Sequence, residues 1–226
     1  MNLSLKEVRI GRKKILGNIK MQVKPGQVYA ILGKNGSGKS TLLNSITQHP
    51  ATSYTGKVQL ETPIFLGFQK PVEVPELLTM NLLIHLENLS SGQHFIAEEL
   101  IAKYQNLIDK LELTQEMLSR PLNTQVSGGE NKRIEVLQMY IIKPKVLLLD
   151  EIDTGLDLDA QILIGSIIRD YIKKYKPATI VVTHNMGFLK YFPVTKTMVL
   201  SEGKVIAEGT SALIKQIESK GFSSLN

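Results

Sequence analysis

Apolar and polar residues alternate over residues 3–9 and again over 14–23, with a turn rich in Gly, Lys and Arg between them. A period of two turns one face of each segment towards a core, so the pair predicts a β-hairpin. Pro25-Gly26 marks a turn. The run VYAIL at 28–32 is short, apolar and rich in strand formers, which predicts a buried strand. A Gly-rich loop follows, and TLLNSI opens a helix. Strands are predicted at 55–60 and 63–68, separated by Thr62-Pro63.

The period then changes. Leu77, Leu78, Leu82, Leu83, Leu86 and Leu89 recur at helical spacing, as do Leu100, Ile101, Tyr104, Leu107, Ile108 and Leu111. They predict helices from about residue 76, within a helical subdomain inserted at about 71–143 and closed by Pro144. Beyond it come a strand at 145–150, a helix at 159–175, a strand at 178–183, a hairpin at 196–208 around Glu202-Gly203, and a final helix at 210–219. Strands alternating with helices predict an α/β fold with a mainly parallel sheet and helices on both faces. All 226 residues are expected to form one domain.

Composition narrows the classes. Apolar residues make up 42% of the chain and charged residues 21%, a balance that supports a packed core. With no cysteine, disulfides and thiolate metal sites are excluded. No stretch approaches the roughly 18 apolar residues of a spanning helix. The opening MNLSLKEVRI carries charges where a signal peptide is apolar, so a cytoplasmic location without a membrane span is expected. The net charge of +6 comes from scattered Lys and Arg without an aromatic-rich basic patch, so nucleic acid is not an expected partner. His49, His85 and His94 lack neighbours at metal-ligand spacing and are read as surface or core residues.

Three motifs carry chemistry. GKNGSGKST comprises Gly33, Lys34, Asn35, Gly36, Ser37, Gly38, Lys39, Ser40 and Thr41 and fits the phosphate-loop pattern GxxxxGK[ST]. Its glycines let backbone N–H groups approach phosphate oxygens, and the following helix directs its positive end at the same anion. Lys39 is expected on the β- and γ-phosphates, Ser40 on Mg²⁺, and Thr41 on a phosphate oxygen. VLLLDE ends a buried strand in two carboxylates at the sheet edge where α/β ligands bind. Asp150 is a candidate Mg²⁺ ligand and Glu151 a candidate base for the water that attacks the γ-phosphate. Finally, Ser127-Gly128-Gly129 opens an amphipathic helix with bare backbone, a second anion site far from the first in sequence. One such site can serve the chain's own nucleotide and the other a neighbour's.

The order of these pieces resembles the ABC ATPase family. SGGE, about twenty residues before the LLLDE strand, is similar to the family's signature. Gln69 in FLGFQKP resembles the Q-loop glutamine, TGLD at 154–157 the D-loop, and His184 in IVVTHN the switch histidine. The resemblance implies an ABC nucleotide-binding domain: a P-loop core with a mainly parallel sheet, an antiparallel β subdomain and a helical subdomain. It implies ATP as substrate and Mg²⁺ held by Ser40, Gln69 and Asp150, with Glu151, His184 and Gln69 as catalytic residues. Asp157 is implied to lie near the nucleotide, and the adenine near Ile10, where no aromatic side chain stacks.

Finer wording resembles the SufC branch, the ATPases of the SUF iron–sulfur-cluster assembly system: FQKPVEVP, SGGENKRIEVLQM, LDEIDTGLDLDA and LIKQIESKGF. Transporter ATPases usually have Pro after the catalytic Glu, where this chain has Ile152 and Asp153. That branch implies ATP-dependent self-association and SufB- and SufD-like scaffold partners. A chain without thiolates would not itself ligate the cluster. The alternative expectation is the ATPase subunit of a membrane ABC transporter.

Overall fold

The computed structural model describes residues 1–69, 72–124 and 127–225. Strands β1 (Asn2–Ile10) and β2 (Lys13–Gln22) form the expected antiparallel hairpin. The buried VYAIL run is β3 (Val28–Leu32), and the loop after it leads into α1 (Lys39–Ile46). β4 (Ser53–Gln59) returns to pair with the other side of β1, giving a three-stranded sheet of order β2-β1-β4. After a cis Thr62-Pro63 peptide, β5 (Ile64–Gly67) enters a second sheet.

The helical stretch departs from expectation at its start. Leu77 and Leu78 lie in a strand, β6 (Val74–Leu78), and helix α2 (Thr79–Ser91) begins only after them. Two adjacent leucines fit either period. Antiparallel pairing with Leu122 and Pro121, and the Thr79 N–H donated to Arg120 O at 2.9 Å, decides for the strand. α3 (Ala97–Lys110), α4 (Gln115–Ser119) and the short β7 (Pro121–Leu122) follow. The expected start of the insert at residue 71 lies outside the described residues, as do Lys70 and Val126 of the quoted motifs.

α5 (Gly128–Ile142) starts at a reciprocal cap. Ser127 Oγ accepts the Glu130 N–H, and Glu130 Oε2 accepts the Ser127 N–H. The helix ends at Lys143, in the left-handed conformation, before Pro144. Then come β8 (Val146–Asp150), α6 (Leu158–Tyr175), β9 (Ala178–Val182), a short α7 (Met186–Leu189), the β10 (Val194–Ser201) and β11 (Lys204–Gly209) hairpin, and α8 (Ser211–Lys220).

The main sheet has order β11-β10-β3-β9-β8-β5, parallel except for β11. Side chains alternate across its central strands and so divide between two cores. Tyr29, Ile31, Val146, Leu148, Ile180 and Val182 face α1 and the small sheet, where Leu5, Leu16, Ile19, Leu42 and Leu43 meet them. Ala30, Leu32, Leu147, Leu149 and Val181 face the helices, packing with Ile134, Leu137, Ile164, Ile168 and Tyr171. This double burial explains why β3 is wholly apolar and why β8 and β9 are apolar but for Asp150 at the end of β8 and the buried Thr179 in β9. The parallel strands deliver the ends of β3, β5, β8 and β9 to one edge of the sheet.

Candidate active site

At that edge the loop after β3 turns into α1. Gly33 and Gly36 adopt φ values of 152° and 79°, which L side chains rarely take. An ideal Cβ on Gly33 would fall inside van der Waals contact of Leu200 O and 2.6 Å from Ser37 Oγ. The loop therefore packs against β10 through bare backbone. Lys39, at the first position of α1, is only 5% exposed and curls back to donate to Gly33 O at 2.9 Å and Lys34 O at 3.2 Å. Its Nζ is 3.7 Å from Glu151 Oε1.

Glu151 leaves β8 in a left-handed conformation, with φ 46°, and is 8% exposed. Its Oε2 accepts a hydrogen bond from Gln69 Nε2 at 3.0 Å and lies 3.5 Å from His184 Nδ1. Groups from the ends of β5 and β9 thus converge, with the loop lysine, on the carboxylate at the end of β8. Beside it, burial pushes the Asp150 carboxyl above the usual aspartate range, the Ser40 hydroxyl opposes that shift, and the Glu151 charge reinforces it. Asp150 Oδ1 and Ser37 Oγ are buried without a hydrogen-bond partner among the described residues.

A cavity of about 430 Å³ opens here, lined by Ile15, Asn35, Gly36, Gly38, Lys39, Ser40, Thr41, Gln69 and Glu151. That is the size of a small-ligand site. The apolar side chain in its wall is Ile15, contributed by β2. Ile10, where the base was expected, is 44% exposed and is not part of the lining. The hairpin register decides this, because β2 rather than the end of β1 crosses the loop.

Other expected site residues lie apart. Ser127, Gly128 and Gly129 do not line the cavity; Ser127 and Gly128 are exposed on the surface. An ideal Cβ on Gly128 would meet only Gly155 O, at 3.8 Å, and one on Gly129 would reach Leu156 Cδ2 at 4.0 Å. The SGG turn and the TGLD turn therefore share one face. Asp157 is exposed, and its Oδ1 caps α6 by accepting the Ala160 N–H at 2.8 Å.

Sequence reasoning missed two groups near the site. Asp153, 4% exposed, accepts the Thr183 hydroxyl at 2.9 and 3.0 Å. Thr183 in turn accepts the Asn185 N–H, so both neighbours of His184 are held. Lys132 and Glu135 on α5 are 3% and 7% exposed and bind the backbone of Phe68, next to Gln69. Charged residues inside the apolar row of α5 were the available signal for the second group.

A phosphate loop on a parallel sheet edge, with a carboxylate and its polar neighbours facing it, defines a P-loop nucleotide-binding domain. The chain belongs to the ABC transporter family of ATPases, whose pattern matches residues 16–154. It is 36% identical to an iron–sulfur cluster assembly protein SufC of Plasmodium falciparum, over 94% of this chain and 67% of that one. It is 35% identical to a probable ATP-dependent transporter of Synechocystis, over 99% of this chain and 95% of that one. It is 31% identical to a probable ATP-dependent transporter SufC of Escherichia coli, over 97% of each. A dimeric bacterial ABC transporter cassette shares the fold at TM-score 0.76 and 21% identity, covering 92% of this chain and 96% of that one. Among the described residues no helix is long and apolar enough to cross a membrane.

Proposed function

We propose that this chain hydrolyses Mg²⁺–ATP as a pair of chains and uses the cycle to change the shape of an iron–sulfur assembly scaffold of the SufB and SufD kind. The observation that carries the reading is a division of labour. Glu151 is gathered with Lys39, Gln69 and His184 at the loop cavity, while the Ser127–Gly129 turn stands outside it on an exposed face. A site split in this way is completed by a second copy. The dimeric cassette with the same fold, also known in a state bound to ADP and Pi, supports that arrangement.

Residues 33–41 would hold the triphosphate, with backbone N–H groups and the N-terminus of α1 facing its oxygens. Asp150 Oδ1, buried beside the Ser40 hydroxyl and without a hydrogen-bond partner among the described residues, offers the hard oxygen that Mg²⁺ prefers. Ser40, Asp150 and Gln69 would hold the ion, which neutralises phosphate charge. Lys39 would exchange its carbonyl partners for the β- and γ-phosphates. Glu151 would take a proton from water as the water oxygen bonds to the γ-phosphorus and the bond to the β-phosphate oxygen breaks, releasing ADP and phosphate. His184 and Gln69 would position that water. ATP favours the closed pair because the partner's signature turn meets a γ-phosphate that ADP lacks.

Glu151→Gln tests this. Turnover should be abolished, ATP should still bind, and a dimer should accumulate with ATP; a variant that hydrolyses ATP at the normal rate would sink the assignment. The names of the Synechocystis and E. coli relatives favour a second reading, the ATPase subunit of a membrane transporter. Co-purification with a permease rather than a scaffold decides for it.

A further inference from the structure

Helix α5 carries two charges where it is most deeply buried. Lys132 and Glu135 sit one turn apart, beside Ile134, Val136 and Leu137, and their side chains meet at 2.7 Å. Burial raises the Glu135 carboxyl, and the Lys132 ammonium opposes that shift. The adjacent cavity, lined by Phe65, Val136, Met139 and Leu149 among others, is only about 10 Å³, room for about one water at most. The remaining hydrogen bonds of the pair go to the backbone of one residue. Glu135 Oε1 accepts the Phe68 N–H at 3.2 Å, and Lys132 Nζ donates to Phe68 O. Phe68 precedes Gln69, whose side chain donates to Glu151. At the other end, Lys132 lies five residues from Ser127, about 7.5 Å along the helix axis.

We propose that Lys132 and Glu135 are a positioning pair that links the signature turn to the same chain's Gln69 and Glu151. This rests on the reading above, in which Ser127–Gly129 seats on the second chain's nucleotide. Seating shifts α5, a rigid element, and the pair holds both the N–H and the C=O of Phe68, which belong to the two peptide units on either side of its Cα. The shift therefore reaches Gln69 and the Glu151 carboxylate. Each chain's own hydrolysis would then respond to whether its signature turn is engaged. A buried ion pair is weak evidence for stability, because well-packed apolar replacements often serve as well. A role in coupling gives these charges a function that apolar side chains would not perform.

The test is the double variant Lys132→Met, Glu135→Leu in the full chain. It should melt close to wild type and bind ATP within about twofold, while kcat falls about tenfold or more, the scale of small misplacements at a reacting centre. Lys132→Arg alone should keep most of kcat. In a Gln69→Ala background the double variant should cost nothing further, because the effect passes through Gln69. A folded double variant with wild-type kcat, or one whose loss simply adds to that of Gln69→Ala, overturns the proposal. Glu151→Gln is the control. If it still turns over, the active-site reading has failed; if it is inactive while the double variant is normal, only the coupling has failed. Should the double variant not fold, hydrogen exchange of the Phe68 amide in the intact protein decides. Protection like that of β5 supports the pair, and exchange at the rate of an exposed loop refutes it.

Discussion

Alanine at Gly33 and alanine at Gly36 should behave differently, although both glycines belong to one loop. At Gly36 the φ of 79° is unfavourable for alanine, but an ideal Cβ has nothing within 4 Å. Only the left-handed backbone term applies, about 1–2 kcal/mol. At Gly33 the φ of 152° is in a glycine-only region, and the new Cβ meets Leu200 O and Ser37 Oγ. The backbone term there is about 1–3 kcal/mol. The contact adds roughly 1–3 kcal/mol more, because Leu200 pairs with Val205 in the β10–β11 ladder and cannot withdraw as a side chain could. In a chain of this size each kcal/mol moves Tm by about 2–4 °C, so Gly33→Ala should lose roughly 4–24 °C and Gly36→Ala about 2–8 °C. Nucleotide binding supplies a second readout. Gly36 lines the cavity and Gly33 does not. Gly36→Ala should therefore weaken ATP binding out of proportion to its small loss of stability. Thermal melts and ATP titrations on both variants check this. If Gly33→Ala melts as high as Gly36→Ala, the close approach of the loop to β10 has been misread.

Thr183→Val should destabilise the fold by about 1–3 kcal/mol, since it leaves the buried Asp153 carboxylate without its hydroxyl donor; a melt within error of wild type argues against that contact. Burial raises Asp153 above its unfolded value, with the Thr183 hydrogen bond opposing the shift. The folded chain then binds that proton more tightly. The contribution is full below the ordinary aspartate range and is lost as pH rises through the folded value. The Tm advantage of wild type over Asp153→Asn should accordingly be largest in acid, below the ordinary aspartate range, and shrink as pH rises above that range, and an advantage that grows with pH contradicts the assignment. If half of each site comes from a second copy, as proposed, diluting the enzyme should lower its specific ATPase activity. Specific activity independent of concentration would count against shared sites.

The linear chain settled much of this protein by itself. Short, mostly apolar runs rich in strand formers predicted strands covered on both faces, and β3, β8 and β9 are such strands. The spacing of glycines before Lys39 and the acidic end of VLLLD announced phosphate chemistry, since those patterns act through local backbone geometry. Leu77 and Leu78 were misplaced because their period was ambiguous and a partner strand more than forty residues away resolved it. Only the tertiary structure decided that Ile15 rather than Ile10 walls the cavity, and that Lys132 and Glu135 hold the N–H and C=O of Phe68. These are contacts between elements distant in sequence. Their register depends on how sheets and helices pack, and that is absent from any local window of residues.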